Sequence, residues 1–451
     1  MSALSLLSHV PDDVAARLGR RPDAFPRQVD VVVIGGGIVG AASAYYLSLG
    51  GLSVALVERD KVASQQSGRN WGFVRTQYRD PAELPLAVEA LSIWPELEAE
   101  LGREIGWRRN GCMFVAESDA EYETFARWQA AARDVSPQAR MLSRGEVGTI
   151  LPALAREVPG ALYTATDGQA EPALATTALA RAAEDRGTWL LEDCGALSIE
   201  TAGGRVTGVM TEHGLIACGT VVCAAGAQAH RFLKPLGLVL PQQVVRSTVS
   251  LTAPIPAIST PCFCGFGLGL RQRPDGSCIL AADSSSDVDL TFDSMRAAGF
   301  FVPELIRHRK GFAFRLGRPF LDDVHARLAL PASERIIVPR RPRIPANGGR
   351  AARTAELFQR LFEGAGQARI VKSWAGQIDV LPDALPVIDT PSAVPGLIVA
   401  TGFSGHGFGL GPAVGRHVAR LAAGLAPAEA IRPFQLDRFA RGTYSRAHAP
   451  L

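Results

Sequence analysis

Lysine is nearly missing from this chain: Lys61, Lys234, Lys310 and Lys372 are the only four among 47 basic residues, and 44 acidic residues bring the net charge to +3. No basic run exceeds the short Arg340-Arg341-Pro342-Arg343 stretch. The electrostatic footprint that a phosphate backbone requires is lacking, which excludes nucleic acid as a partner. Paired C-x-x-C spacing is absent as well. The seven cysteines (Cys112, Cys194, Cys218, Cys223, Cys262, Cys264, Cys278) are odd in number and scattered through apolar segments. Neither a disulfide framework nor a metal site is expected, and the thiols read as reduced and buried. Met1 to Gln28 lacks the early positive charge and the small-residue cleavage site of a secretory signal. With Leu4, Leu6, Leu7, Val10, Val14 and Leu18 it reads as an amphipathic leader on the surface. The uncharged run between Asp30 and Glu58 is broken by Gly35-Gly36-Gly37, Gly40 and Gly50-Gly51, so no membrane span is expected there and the chain reads as cytoplasmic.

What remains is an ordinary globular composition: 451 residues, 47% apolar and 20% charged, enough for two or three domains or one large fold with an inserted lobe. Val31-Val32-Val33-Ile34 is a short β-branched run, read as a buried parallel strand. It is followed at once by Gly35-Gly36-Gly37-Ile38-Val39-Gly40, which fits G-x-G-x-x-G. Ala41 to Leu49 then reads as a helix, and Val54-Ala55-Leu56-Val57 as a second strand ending in Glu58, 18 residues beyond Gly40. Each part has a task in holding a dinucleotide. Gly35 makes the tight turn, Gly37 lets the backbone approach a pyrophosphate, Gly40 lets helix pack on strand, and Glu58 accepts from ribose hydroxyls. An acid at that place serves NAD and FAD alike, so the choice rests on the remainder of the chain.

Two further glycine-rich segments follow strand-like runs, Thr220 to Ala227 and Leu397 to Gly411. Three such distant loops converge on one ligand only if other sequence is inserted between parts of one sheet. A simple NAD-dependent Rossmann dehydrogenase leaves the last segment without a role. Several segments together resemble the D-amino-acid oxidase and sarcosine oxidase superfamily of FAD-dependent oxidoreductases, from about Asp30 to Gly424. They are Val33 to Gly40, Ser67-Gly68-Arg69-Asn70, Asp167-Gly168 with Glu171-Pro172, Ala224-Ala225-Gly226, Trp374-Ala375-Gly376, Leu381-Pro382-Asp383 and Gly402 to Phe408. Within the superfamily, Gly68-Arg69-Asn70 followed by Arg75 and Tyr78 is most similar to beta subunits of heterotetrameric sarcosine oxidases and to opine- or amine-oxidising relatives.

The resemblance implies an α/β fold: a discontinuous Rossmann-like FAD-binding domain (29–102, 161–236, 371–451) plus an α+β substrate domain with a mixed/antiparallel sheet (103–160, 237–370), after the leader at 1–28. Alternating apolar and polar residues over Trp107 to Ala116 and Gln242 to Ala282, with turn signals at Asn110-Gly111 and Pro274-Asp275-Gly276, agree with such a sheet. The resemblance further implies FAD with Gly35, Gly37, Ile38, Gly40, Glu58 and Arg59 at its ADP half. Ser67, Arg69, Asn70 and Trp71 then lie near the ribityl chain, Ala196 at the adenine, and Ala225 and Gly226 over the pyrophosphate. Gly376, Phe403, Gly405, His406, Gly407, Phe408 and Gly409 complete the set, the last five opening a helix whose N–H groups and positive end face the flavin pyrimidine. The FAD is expected to be noncovalent. Gly376 stands where monomeric sarcosine oxidases carry the attaching Cys, and Asp167 to Pro172 lacks the flavin-bearing His of the heterotetrameric beta subunits.

The implied reaction is hydride transfer from the carbon beside an amine nitrogen to flavin N5, giving an imine that water hydrolyses; the implied substrate is a secondary amine or N-substituted amino acid. Two carboxylate anchors of the family are replaced, a lysine by Gly409 and an arginine by Ile378. Arg75, Arg271 and Arg315 are the candidate substitutes, since a guanidinium can hold a carboxylate with two parallel bonds. His406 is expected against the isoalloxazine and Trp374 and Phe403 on the pocket wall, whereas Asp379 and Asp383 read as structural. Ser277 to Ala282, where oxidases of this group place a lysine near flavin N5, contains none, which favours a dehydrogenase over a user of oxygen. As an alternative, the chain is an FAD-binding subunit passing electrons to a partner chain, docked through the basic loop Arg340 to Arg353.

Overall fold

The computed structural model describes residues 25–282, 286–308, 312–331, 334–337 and 339–445, so the leader expected at 1–28 lies almost wholly outside the described residues. Six strands stand side by side in the order Val387–Asp389, Leu397–Thr401, Thr220–Cys223, Val31–Ile34, Val54–Val57 and Trp189–Leu191. All run parallel except Val387–Asp389, an antiparallel edge. Every residue of Val31–Ile34 is buried, as a parallel strand covered on both faces requires. Val31 and Val33 pack toward the helices Ile38–Leu49, Leu84–Leu101, Pro172–Asp185 and Gly407–Ala422. Val32 and Ile34 point the other way, into a core shared with a three-stranded antiparallel sheet, Ala196–Ala202, Arg205–Thr211 and Gly214–Ala217. The helices Ile38–Leu49 and Gly407–Ala422 cross so closely that a Cβ on Gly415 would stand 2.6 Å from the Ala42 backbone. Part of the glycine richness after Gly405 therefore serves helix packing rather than a ligand.

The second layer is a ten-stranded mixed sheet drawn from residues 112–164 and 243–380. Its longest ribbon pairs Gln243–Thr252 with Ile370–Val380 antiparallel, Gln243 opposite Val380. Gly160–Thr164 and Ile370–Val380 both belong to this sheet, so the chain leaves the lobe at the ends of these strands rather than at 161 and 371. Both expected crossings fall within strands, and composition does not mark the ends of those strands. All seven cysteines are free and buried. Among the described residues no cluster of His, Cys, Asp and Glu could hold a metal ion, and no helix is long and apolar enough to cross a membrane.

Candidate active site

A cavity of about 1090 Å³ runs along the ends of the parallel strands and opens beneath the large sheet. Strand pairing explains its first wall. Ile34 lies opposite both Val57 and Cys223, so the turns that follow the three strands meet. Gly35 has φ +108°, and a Cβ there would lie 2.4 Å from the Ala224 carbonyl oxygen; only glycine allows this approach. Gly40 does not line the cavity: a Cβ on it would reach within 1.9 Å of Gly35 O, which is the helix-to-strand packing role expected of it. Glu58 draws the turns together, Oε2 accepting from Gly36 N–H (2.7 Å) and Oε1 from Asp60 N–H (2.9 Å), while burial pushes its carboxyl above the ordinary range.

Next to Glu58, Arg59 and Ala196 line one end of the cavity with Ile336 and Ile337. These isoleucines come from a segment that returns from the lobe, and Arg340 and Arg341 clip it down. Arg340 donates to Arg59 O and Glu212, and Arg341 to Asp60 (2.8 Å) and Asp193 (3.0 Å). Three of the five arginines in the stretch expected as a docking loop, Arg340, Arg341 and Arg350, are thus paired within the chain, Arg350 with Asp287.

In the middle, Gly37 and Ile38 face Ser67, whose Oγ accepts from Ile38 N–H at 2.8 Å. Arg69 joins its loop to the lobe, Nε donating to Ser64 O (2.7 Å) and Nη1 to Ala375 O (3.1 Å), beside Gly376. Asn70 donates to Ser67 O (2.9 Å) and accepts from Gly72 N–H (2.8 Å), and Trp71 packs over Gly269. All of these line the cavity except Ala375 and Gly269, and Ala225 and Gly226 also line it. Ser64 Oγ, Gln65 Nε2 and Gln228 Oε1 belong to cavity-lining residues and are buried without a hydrogen-bond partner, as polar atoms awaiting a ligand would be.

At the other end Gly402, Ser404 and Gly405 all have positive φ (73°, 50° and 89°), and a serine in that region marks a turn held by its surroundings. Asp379 is the holder. Its carboxylate accepts from Gly402 N–H (2.9 Å) and Gln242 Nε2 (3.0 Å), its carbonyl from Ser404 N–H (3.0 Å), and burial pushes its carboxyl up. The helix Gly407–Ala422 starts from this turn with Phe403, Gly405, His406, Gly407, Phe408 and Gly409 on the cavity wall. His406 Nδ1 lies 2.9 Å from Glu83 Oε2. Burial first, and the nearby Arg79 guanidinium second, push the imidazole down to about 4. Burial alone would raise Glu83, but His406 and Arg79 hold it below the usual carboxylate range.

The three candidate anchors separate. Arg75 lines the cavity, its guanidinium 5.1 Å from the Phe114 ring centre, with one N–H given to Gln77 O. Arg271 is buried against Glu171 (2.9 Å) outside the cavity. Arg315 is a correction: it ends an edge strand, pairs with Asp287 (3.1 Å) and does not line the cavity. Trp374 is a second, since its indole donates to Arg69 O (3.0 Å) behind the wall rather than on it. Phe403 does line it. Arg79, Glu83, Ile336 and Ile337 sit in no motif and only burial reveals them, whereas Asp379 has the structural role its sequence reading gave it.

A family model described as "FAD dependent oxidoreductase" (DAO) matches residues 30–421. The chain belongs to this family. It is similar to sarcosine oxidase subunit beta of Rhizobium meliloti (strain 1021), 28% identical over 433 residues that cover 94% of this chain and 91% of that protein. Glycine oxidase of Geobacillus kaustophilus (strain HTA426) is 27% identical, covering 91% of this chain and 97% of the relative. Among solved structures, L-amino acid deaminase from Proteus myxofaciens superposes with a TM-score of 0.86 at 25% identity over 93% of this chain and 95% of that one. The DAO-family chain is thus an FAD-dependent oxidoreductase. Its residues fit FAD: a glycine-walled cradle, an acid at the end of the second strand, unpartnered polar atoms along the middle and a helix N-terminus at the far end form one continuous cavity.

Proposed function

We propose that the protein oxidises the C–N bond of a secondary amine or N-substituted amino acid, with Arg75 holding the substrate carboxylate. FAD supplies the hydride acceptor, and the imine product hydrolyses. The observation that carries this reading is the position of Arg75, the cavity-lining arginine set where the cofactor cradle meets the aromatic group Tyr78, Phe114 and Phe125. Four of its five N–H donors are left after the bond to Gln77 O, enough for a paired grip on a carboxylate. Phe114 beneath the guanidinium limits its rotation, and the three rings offer an apolar seat for the N-substituent or side chain. Tight walls orient the reacting carbon and exclude water. Among the described residues no lysine lines the cavity, which supports an acceptor other than oxygen.

The test is anaerobic mixing of the FAD-loaded protein with panels of secondary amino acids, opines and simple amines. Arg75→Met should cost carboxylated substrates roughly 10- to 100-fold in kcat/KM, the worth of about 1.5–3 kcal/mol in charged hydrogen bonds, and leave simple amines nearly unchanged. Equal losses for both classes would refute the anchor. A second reading, an FAD-binding subunit that hands electrons to a partner chain, is favoured by the likeness to a protein named as a beta subunit. Flavin that bleaches with substrate, stays bleached in air and recovers on adding a copurifying chain supports it.

A further inference from the structure

Glu83 is fully buried, and the hydride-transfer reading makes no use of it. It stands just before the helix Leu84–Leu101, where its carboxylate meets two partners. His406 Nδ1 lies 2.9 Å from Oε2 and 3.2 Å from Oε1, and Arg79 Nη1 lies 3.3 Å from Oε2. Arg79 is itself buried and tied by Nε to Arg75 O at 3.3 Å. A carboxylate beside a buried guanidinium stays ionised and can only accept hydrogen bonds. Nδ1 of His406 is therefore the donor, and in a neutral imidazole the other nitrogen, Nε2, then carries a lone pair and no proton. The ring cannot drift: it sits at the first turn of Gly407–Ala422, and that turn is pinned by Trp94 Nε1 donating to Gly409 O at 2.8 Å. Its side chain is 27% exposed and lines the cavity.

We propose that Glu83, backed by Arg79, is a positioning residue that fixes His406 in the Nδ1-protonated tautomer, so that Nε2 is the hydrogen-bond acceptor offered to an N–H on the pyrimidine edge of bound FAD. This rests on FAD lying in the cavity with its pyrimidine toward this helix. The edge presents an N–H between two carbonyl oxygens and so needs one acceptor flanked by donors. Of the charged and titratable groups around the helix start, Arg75 and Arg79 can only donate, Glu83 is sealed from the cavity, Asp80 accepts from Ala82 N–H at 2.8 Å, and Asp379 accepts from Gly402 N–H (2.9 Å) and Gln242 Nε2 (3.0 Å). The imidazole supplies a neutral acceptor, while backbone N–H groups of the first turn supply donors. Burial and Arg79 keep the ring neutral across the physiological range, so the arrangement does not depend on a narrow pH.

Nitrogen NMR of holoenzyme carrying 15N-labelled histidine reads the tautomer directly, with His406 picked out of the eight histidines by its loss in His406→Asn. The expected result is a protonated Nδ1 and a bare Nε2 through the neutral range, with the Nε2 resonance moving when apoprotein is reconstituted with FAD. Glu83→Gln should mix the tautomers while FAD remains bound. It should also raise the flavin potential by about 30 mV or more, a tenfold change in a two-electron equilibrium, because a negative charge beside the reduced cofactor is gone. A protonated Nε2 in the wild-type holoenzyme, or an Nε2 resonance that FAD leaves unmoved, would overturn the proposal. Should Glu83→Gln fail to fold, the wild-type spectra decide alone. A protein that takes up no FAD at all would instead strike at the cofactor reading beneath it.

Discussion

At the scale of single residues, His406 makes a prediction that needs no substrate. In the unfolded chain its imidazole titrates near 6.5, and in the folded protein near 4. Between those values the unfolded chain binds the extra proton, so acid weakens the fold as pH drops from about 6.5 toward 4 and the effect levels off below. Asp167, pushed up to about 6 by burial, works in the opposite direction, so the wild-type curve alone mixes the two. The difference in urea-unfolding free energy between wild-type apoprotein and His406→Asn removes the Asp167 contribution, and wild type should lose ground to the variant on acidification. A difference that stays flat with pH would mean that His406 is not held neutral. The cofactor cradle was legible at this scale because strand, glycines, helix and acid fall within about thirty contiguous residues. The choice among Arg75, Arg271 and Arg315 was not. Arg271 and Arg315 lie on lobe strands and Arg75 follows the short strand Phe73–Val74, all with facing set by distant pairing, and Arg315 turns to Asp287 and Arg271 to Glu171.

Elements show the same division between near and far. The sequence of Gly407–Ala422 reads as a ligand-facing helix, and its first turn does line the cavity, but Gly411 and Gly415 press on Ile38 and Ala42 instead. Gly415→Val should lower stability by about 1–3 kcal/mol through overpacking, read as a drop in thermal midpoint; an unchanged midpoint would show that the two helices can part without loss. The segment carrying Ile336, Ile337, Arg340 and Arg341 looked like a basic loop because its acidic partners, Glu212, Asp60 and Asp193, are scattered over more than a hundred residues. Since it covers one end of the cavity by ion pairs that are partly exposed, salt should loosen it. Arg340→Ala with Arg341→Ala should release FAD several-fold faster than wild type, and raising ionic strength should speed release in wild type more than in the variant. Equal release rates would contradict this role.

In the molecule as a whole, two sheets share one cavity. The parallel sheet brings three loops together at the ends of its strands, and the lobe adds Phe114 and Phe125 beside Arg75 and the ribbon whose end carries Asp379. That plan was readable from the sequence because three glycine-rich turns far apart in the chain make sense only around one ligand. The lobe's exact limits were not, since its strands deliver their last residues to the cavity without a break in composition. The measurement that tests the central claim is the visible flavin band of the purified, FAD-loaded protein, followed without oxygen while a carboxylated secondary amine is added, beside the same amine lacking its carboxylate. The account predicts prompt bleaching by the carboxylated amine and slow or no bleaching by its partner, with the preference lost in Arg75→Met. A protein that binds FAD yet is bleached by neither class of amine would contradict it.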